Sequence, residues 1–451
     1  MLYIPKPTQI SGATFLARNT NALLADEPRV GKTGAAIIAA DFILAKSILV
    51  ITTSSGRGVW KRGFADWSVL DRSVQIALPK DEVTADVVIV GWQTISQPKL
   101  LASLLSRKWD LCIPDEDHYA KSFDAARTRA LYGELHNGGE VLNNLKALYA
   151  RAACVWPLTG TPQPHDPGDW YPRMRALCPE RLKACPEKGW PDVTTWEAFR
   201  YHFCVVKMKK LSNFNKIPVV IGGRNLPELK ERLKGFFLLR TQQDVGIQPP
   251  IYELLPLVVS DRQRKQVEGD LDRAKILKAA DEGLTKDLGM HLGPVRRLTG
   301  EIKARAVIEA VKEEFECGLD KIVLAYWHKE VGKILLDGLS HVGVVGIDGS
   351  TPPNIRQKNE DAFKQPNGPR VFLAQIEAAG EAIDLSASAV LWFVETVFSP
   401  RSMKQMSLRV TNHTQARQAV VKVCVLEGSI DEALQASLMR LWTAIREVIS
   451  A

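Results

Sequence analysis

Gly31-Lys32-Thr33 and Asp115-Glu116 are the residues of this 451-residue chain whose types and order could do chemistry together. The first group closes the run Leu24-Ala25-Asp26-Glu27-Pro28-Arg29-Val30-Gly31-Lys32-Thr33, which follows a short apolar segment and precedes helical sequence. A phosphate-binding loop needs small residues, so that backbone N–H groups can close around anionic oxygens. It also needs a lysine for the β- and γ-phosphates and a hydroxyl for Mg2+. Gly31, Lys32 and Thr33 supply these, although Asp26 stands where the first glycine of the usual pattern would be. Taken alone, the triplet competes with an ordinary surface loop. Asp115-Glu116-Asp117-His118 follows the apolar run Leu111–Pro114, so its carboxylates project from a strand end. Asp115 would hold Mg2+ through its water, and Glu116 would orient and deprotonate an attacking water. An acidic loop is commonplace by itself. Downstream of a phosphate loop it points to nucleoside triphosphate hydrolysis.

Groups so far apart in sequence need a sheet whose strand ends lie side by side. The first part of the chain alternates short apolar runs with helical patterns, the signature of a parallel sheet covered by helices. Candidate strands are Ala22–Ala25, Ser47–Thr52, Val87–Val90, Leu111–Pro114 and Val155–Leu158. In such sheets ligands bind at the loops after the strands' carboxyl ends. From about Pro164 to Arg240 the sequence turns Pro- and Trp-rich, then lysine-rich (Lys207, Lys209, Lys210, Lys216), as expected of a helical insertion on the first domain. Pro249-Pro250 and the extended run to Ser260 read as a linker. Alternation resumes at Ile322–Ala325, Val342–Ile347, Val371–Leu373, Val390–Val394 and Val420–Val425, with a terminal helix from about Asp431. The expected fold is therefore α/β: a first domain over 1–245, a linker over 246–262 and a second domain over 263–451, each with a parallel sheet.

The order of the motifs resembles the Swi/Snf-type branch of superfamily 2 helicases and translocases, especially compact forms akin to annealing helicases and to phage or bacterial relatives. Asp26-Glu27 with Gly31-Lys32-Thr33 matches that branch's first motif, and Gln9 sits where the family reads adenine. Leu49-Val50-Ile51-Thr52 with Trp60 resembles a DNA-contacting motif, and Trp92-Gln93-Thr94 a nucleic-acid-facing loop. Asp115-Glu116-Asp117-His118 with Lys121 matches the Asp-Glu-x-His box. Leu158-Thr159-Gly160-Thr161-Pro162 is similar to the coupling motif, whose hydroxyls, with His118, would link the ATP site to the DNA-facing surface. Leu239-Arg240-Thr241 resembles the junction toward the second domain, and Arg297, Gly300 and Lys303 a signature before its first strand. Ile347-Asp348-Gly349-Ser350-Thr351 with Arg356 resembles a backbone-gripping loop. Ala379-Gly380-Glu381-Ala382-Ile383-Asp384-Leu385 resembles the fifth motif, and Gln405, Arg409 and Gln415 fit the sixth.

The resemblance implies two tandem RecA-like domains that use ATP and Mg2+ at their interface, with Asp384 and Gln405 adding to the ATP site. It implies movement on double-stranded or branched DNA in preference to single strands. Hydroxyls and arginine at a sheet's carboxyl edge suit phosphate contacts, which carry no sequence information. Against the family pattern Gln-x-x-x-Arg-x-x-Arg-x-x-Gln, the second arginine is Asn412 here. That arginine would stabilise charge on the transferring γ-phosphoryl, so either hydrolysis is slow or Arg409 or Arg417 substitutes.

Bulk properties are compatible with this reading. A net charge of +8 and pI of about 9.0 suit a polyanionic partner without establishing one. Seven scattered cysteines favour a reducing compartment over a disulfide scaffold. Cys178, Cys185, His202 and Cys204 lack the tight cysteine pair of a structural zinc site and read as buried thiols. Most of the eleven tryptophans are core residues by this reading, with Trp60 and Trp92 assigned to nucleic acid. No stretch suits a membrane span, and the expectation is a cytoplasmic, nucleoid-associated monomer from a bacterium or phage-infected cell. A strand-separating helicase, a hydrolysis-impaired ATP-dependent clamp and an RNA-directed enzyme are the alternatives.

Overall fold

The computed structural model describes residues 4–54, 56–122, 124–135, 141–142, 146–160, 162–163, 166–210, 216–260, 262–263, 285–379, 383–395, 400–412, 415, 417–427, 429, 431–432 and 434–435. The chain divides into two compact units, Met1–Val245 and Gly246–Ala451.

Unit 1 begins with α1 (Pro7–Ala17), β1 (Leu23–Leu24), α2 (Lys32–Phe42), β2 (Ile48–Thr52), α3 (Gly56–Trp67), β3 (Val74–Ile76) and β4 (Val87–Gly91). It continues through α4 (Pro98–Ser106), β5 (Trp109–Pro114), α5 (Ala126–Tyr132), the short pair β6 (Glu134–Leu135) and β7 (Val141–Leu142), and β8 (Ala152–Val155). Its central sheet runs β3-β4-β2-β5-β8, all parallel. β2 and β4 are apolar, mostly β-branched runs buried along their whole length, as a sheet covered on both faces requires. Alternate residues go to opposite faces. Leu49, Ile51, Val88, Val90 and Cys112 join one core, while Ile48, Val50, Val87, Ile89, Leu111 and Ile113 join the other. β1 is tied to the chain beyond β8 through Leu24 N to Pro157 O (3.0 Å) and Thr159 N to Leu24 O (3.2 Å). Leu158 N in turn donates to Pro114 O at 2.8 Å, at the carboxyl end of β5. The loops after β1, β5 and β8 are thereby brought side by side.

The rest of unit 1 comprises α6 (Tyr171–Leu177), α7 (Trp196–Phe203), β9 (Cys204–Lys210), β10 (Lys216–Gly223), α8 (Leu226–Leu233) and β11 (Phe237–Leu238), which pairs with β1. The insertion is thus not helical throughout. β9 and β10 form an antiparallel hairpin in the lysine-rich stretch, where the sequence had suggested no strand.

Unit 2 carries β12 (Ile251–Leu257), α9 (Thr285–Glu316), β13 (Ile322–Tyr326), α10 (Lys329–Leu339), β14 (Val344–Ile347), α11 (Pro353–Lys364), β15 (Val371–Gln375), α12 (Ile376–Ala379), β16 (Val390–Phe393), α13 (Pro400–Ser407) and β17 (Val420–Leu426). The sheet order is β12-β17-β16-β13-β15-β14, again parallel. The linker expected over 246–262 is corrected here, because residues 251–257 are an edge strand paired to β17. Pro256 is tolerated there because an edge strand can spare an N–H. The terminal helix expected from Asp431 lies mostly outside the described residues. The chain is α/β, and each unit is built on a parallel sheet. Among the described residues, no helix is long and apolar enough to cross a membrane.

Candidate functional site

The phosphate loop ends at Gly31, the N-cap of α2, with φ +109°. Only glycine fits this backbone without strain. A Cβ there would also lie 2.9 Å from Gln9 Cγ, because Gln9 is buried against the loop. Gln9 Oε1 accepts from Lys6 N at 2.9 Å, which fixes the side chain at the start of α1. Arg29, in place of a family glycine, also takes positive φ (+73°), a conformation that costs a non-glycine residue about 1–2 kcal/mol. The first turn of α2 offers its free N–H groups beside Lys32 and Thr33, as an anion site requires. Lys32 Nζ donates to Asp26 O at 2.6 Å and Glu27 O at 3.2 Å, so the ammonium sits against the loop.

Asp26, expected to bind ATP, has a different task. Its carboxylate is fully buried and held by Arg240, with Nε to Oδ1 at 3.0 Å and Nη2 to Oδ2. A buried carboxylate needs such a partner. Arg240 Nη1 also donates to Thr8 O, and Glu27 N donates to Arg240 O at 2.9 Å. Arg240 therefore joins the start of α1, the phosphate loop and the segment after β11. Sequence alone marked it only as part of a junction.

Asp115 is fixed from three directions. Its Oδ2 accepts from Trp60 Nε1 and Thr52 Oγ1, both at 2.8 Å, and its backbone O accepts from Trp92 Nε1 at 2.7 Å. Trp60 and Trp92 are each 1% exposed. Their assignment to nucleic acid is corrected: the rings are buried, and the indole N–H groups hold Asp115, Trp60 at its carboxylate and Trp92 at its backbone carbonyl. Burial, then repulsion from Glu116, pushes the Asp115 carboxyl up to about 6, while the Trp60 and Thr52 hydrogen bonds and the Lys32 ammonium pull it back. A buried carboxylate crowded by a second one favours a hard divalent cation that relieves the repulsion, so Asp115 beside Glu116 fits Mg2+.

Glu116 adopts a left-handed backbone (φ +53°), and its side chain remains one-fifth exposed. That conformation is costly for glutamate and is the kind of strain concentrated at functional sites. His118 Nδ1 lies 3.2 Å from both Glu116 Oε2 and Thr159 Oγ1. The two coupling residues expected from sequence, His118 and Thr159, thus meet beside the expected base. Thr161 lies outside the described residues.

On the outer loops, Gln93 is exposed and Thr94 half-buried just beyond β4, with Thr94 Oγ1 on Gly91 O. In unit 2, Ser350 is exposed and Thr351 half-buried, in a turn organised by Asp348 Oδ1, which accepts from both hydroxyls. Arg356 is a brace. Its Nε, Nη1 and Nη2 donate to the carbonyls of Thr351, Ala378 and Asp348 at 2.8–3.0 Å, so it shapes the loop instead of reaching out.

Asp384 caps the turn at Ser386 and pairs with Lys364 at 3.2 Å. Gln405 is half-buried on α13, and Gly380 to Ala382 of the fifth motif lie outside the described residues. Gln415 Nε2 donates to the carbonyls of Ser386, Ser388 and Val410, knitting the sixth motif to the fifth. Asn412 Nδ2 donates to Ser386 Oγ at 3.1 Å. Arg409, expected to stand in as a catalytic cation, is 8% exposed. Such burial leaves little guanidinium to offer a phosphate. Arg417, in contrast, is exposed and lines a polar recess with Asn412, Gln415 and Gln418.

The four possible zinc ligands do not form a metal cluster among the described residues. His202 pairs with Glu228, and burial raises the Cys178 and Cys204 thiols to about 12.

The fold and these loops define an α/β chain with a P-loop-like first motif. Residues 303–413 match the family described as "Helicase conserved C-terminal domain". The chain is 23% identical over 449 residues to the mouse protein named DNA annealing helicase and endonuclease ZRANB3, covering 96% of this chain and 40% of that one. It is 25% identical over 463 residues to the Xenopus tropicalis SWI/SNF-related matrix-associated actin-dependent regulator of chromatin subfamily A-like protein 1, covering 98% of this chain and 44% of the relative. The chain therefore spans less than half the length of these curated relatives. A structure titled Sulfolobus solfataricus SWI2/SNF2 ATPase core in complex with dsDNA aligns at TM-score 0.44 and 17% identity, covering 95% of this chain and 89% of that one. Over nearly its whole length the chain is thus similar to Swi/Snf-type helicases, and its residues 303–413 carry the helicase C-terminal signature.

Proposed function

We propose that this chain is a DNA-dependent ATPase that converts ATP hydrolysis into movement along double-stranded or branched DNA. The observation that carries the reading is the convergence in unit 1 of the phosphate loop, Asp115-Glu116 and the Thr159 loop, with His118 touching both Glu116 and Thr159. Lys32 and the N-terminus of α2 would bind the phosphates, and Gln9 would face the base. Thr33 and Asp115 would hold Mg2+, which supplies charge neutralisation at the phosphate oxygens. Glu116 would take the proton of the attacking water. The His118–Thr159 contact would carry the state of that site to the loops that touch DNA. Gln93, Thr94, Ser350 and Thr351 would contact the backbone, giving salt-dependent binding with little sequence preference.

Movement on duplex is tested by displacement of a third strand from a DNA triplex. The expected result is ATP-dependent displacement that leaves the underlying duplex paired. Separation of plain forks without any triplex displacement would identify a strand-separating helicase instead. A second reading, an ATP-dependent clamp with impaired turnover, is favoured by Asn412 alone. It predicts ATP binding with no hydrolysis on any nucleic acid.

A further inference from the structure

We propose that Arg173 is a positioning residue that locks the Asp-Glu box to the Thr-Gly-Thr-Pro loop, so that a change at one is transmitted to the other. The proposal rests on the ATPase reading above and adds a residue from outside the family motifs. Arg173 lies on α6 at 2% exposure, and Asp117 at 1%. Its Nε and Nη2 reach Asp117 Oδ2 at 2.6 and 2.5 Å, while Tyr132 Oη donates to Oδ1 at 2.5 Å. The same guanidinium donates from Nη1 to Pro162 O at 3.2 Å, at the end of the coupling loop. It also lies 5.0 Å over the ring of Trp170, whose Nε1 donates to Gln163 Oε1 at 2.9 Å. On the other side, Asp117 N donates to Leu158 O at 3.0 Å, at the loop's start.

Asp117 stands between Glu116 and His118, yet its carboxylate turns inward and takes no part in the chemistry assigned to its neighbours. A buried ion pair adds little stability over well-packed apolar groups, so stability alone is a poor account of it. What the pair provides is geometry. A planar guanidinium with fixed donor directions spans two motifs at once, which neither lysine nor a neutral side chain could do. Moving the loop away from the box would take the Pro162 carbonyl from a buried guanidinium donor and the Leu158 carbonyl from the Asp117 N–H, so the two elements shift together.

The test compares wild type with Arg173→Gln and with Asp117→Asn/Arg173→Gln. The single variant leaves Asp117 buried without its cation and should lower Tm by roughly 10 °C. The double variant removes both charges and should recover most of that loss. Two readouts follow on the double variant. One is the ratio of duplex-stimulated to basal hydrolysis. The other is hydrogen exchange of the peptide 155–163 with and without a non-hydrolysable ATP analogue. The expected result is a folded protein that still binds the analogue, with the stimulation ratio reduced about tenfold and nucleotide-dependent protection of 155–163 lost. A folded double variant with the wild-type ratio and wild-type protection would overturn the proposal and leave the pair a structural one. So would a wild type in which nucleotide never protects that peptide. If wild type shows no stimulation by DNA, the ATPase reading fails, while the exchange comparison, which needs no DNA, still decides the role of Arg173.

Discussion

Replacing Glu116 with glutamine should lower ATP turnover by about 10²- to 10⁴-fold, the usual contribution of a general base, while ATP binding persists. Glutamine keeps the shape that fits the left-handed position before Asp117 and keeps an oxygen for contact with His118, so the loop should hold its form. It cannot accept the proton of an attacking water. Repulsion from Glu116 is the second largest cause of the raised Asp115 pKa, after burial. Removing that charge makes Asp115 easier to ionise at a given pH, so Mg2+-dependent ATP affinity should be unchanged or tighter. Equilibrium binding of a fluorescent ATP analogue beside steady-state hydrolysis checks both halves. Weakened binding with intact turnover would assign Glu116 to ligand binding alone.

The second large effect is a gain. Asn412→Arg should raise duplex-stimulated kcat by at least about tenfold, since an arginine finger is typically worth ~10³-fold or more and a neighbour can supply only part of it. Asn412 is half-buried and tied to Ser386 Oγ, and it shares a polar recess with Arg417. The recess gives a longer cationic side chain room without entering an apolar core. Arg409 is buried, so Arg417 is the residue expected to cover at present. Steady-state kinetics of Asn412→Arg and Arg417→Ala decide. A silent Asn412→Arg beside an inactive Arg417→Ala would mean that Arg417 already supplies the full charge.

Both sheets were legible because their inner strands are continuous apolar runs such as Ile48–Thr52 and Val371–Gln375, which burial on two faces demands. The edge strand Ile251–Leu257 was not. An extended run after two prolines reads alike as linker or strand until its partner, Val420–Leu426, is known. In the site, the loop and the box were readable because backbone-to-phosphate and carboxylate-to-metal chemistry is local in sequence. The residues that hold them in place were not readable. Trp60 reaches Asp115 across 55 positions and Arg240 reaches Asp26 across 214. A tryptophan on an amphipathic helix looks the same in sequence whether it stacks on a base or donates to a buried carboxylate. Arg356 misled for a related reason: an arginine near a hydroxyl-rich loop suits phosphate as well as it suits the loop's own carbonyls.

The most direct test is ATP hydrolysis measured without nucleic acid and with single-stranded DNA, duplex DNA and RNA, each beside Glu116→Gln. The account predicts strong stimulation by duplex DNA, weaker stimulation by single strands or RNA, and none in the variant. Wild type indistinguishable from Glu116→Gln on every ligand, while still binding ATP, would contradict it.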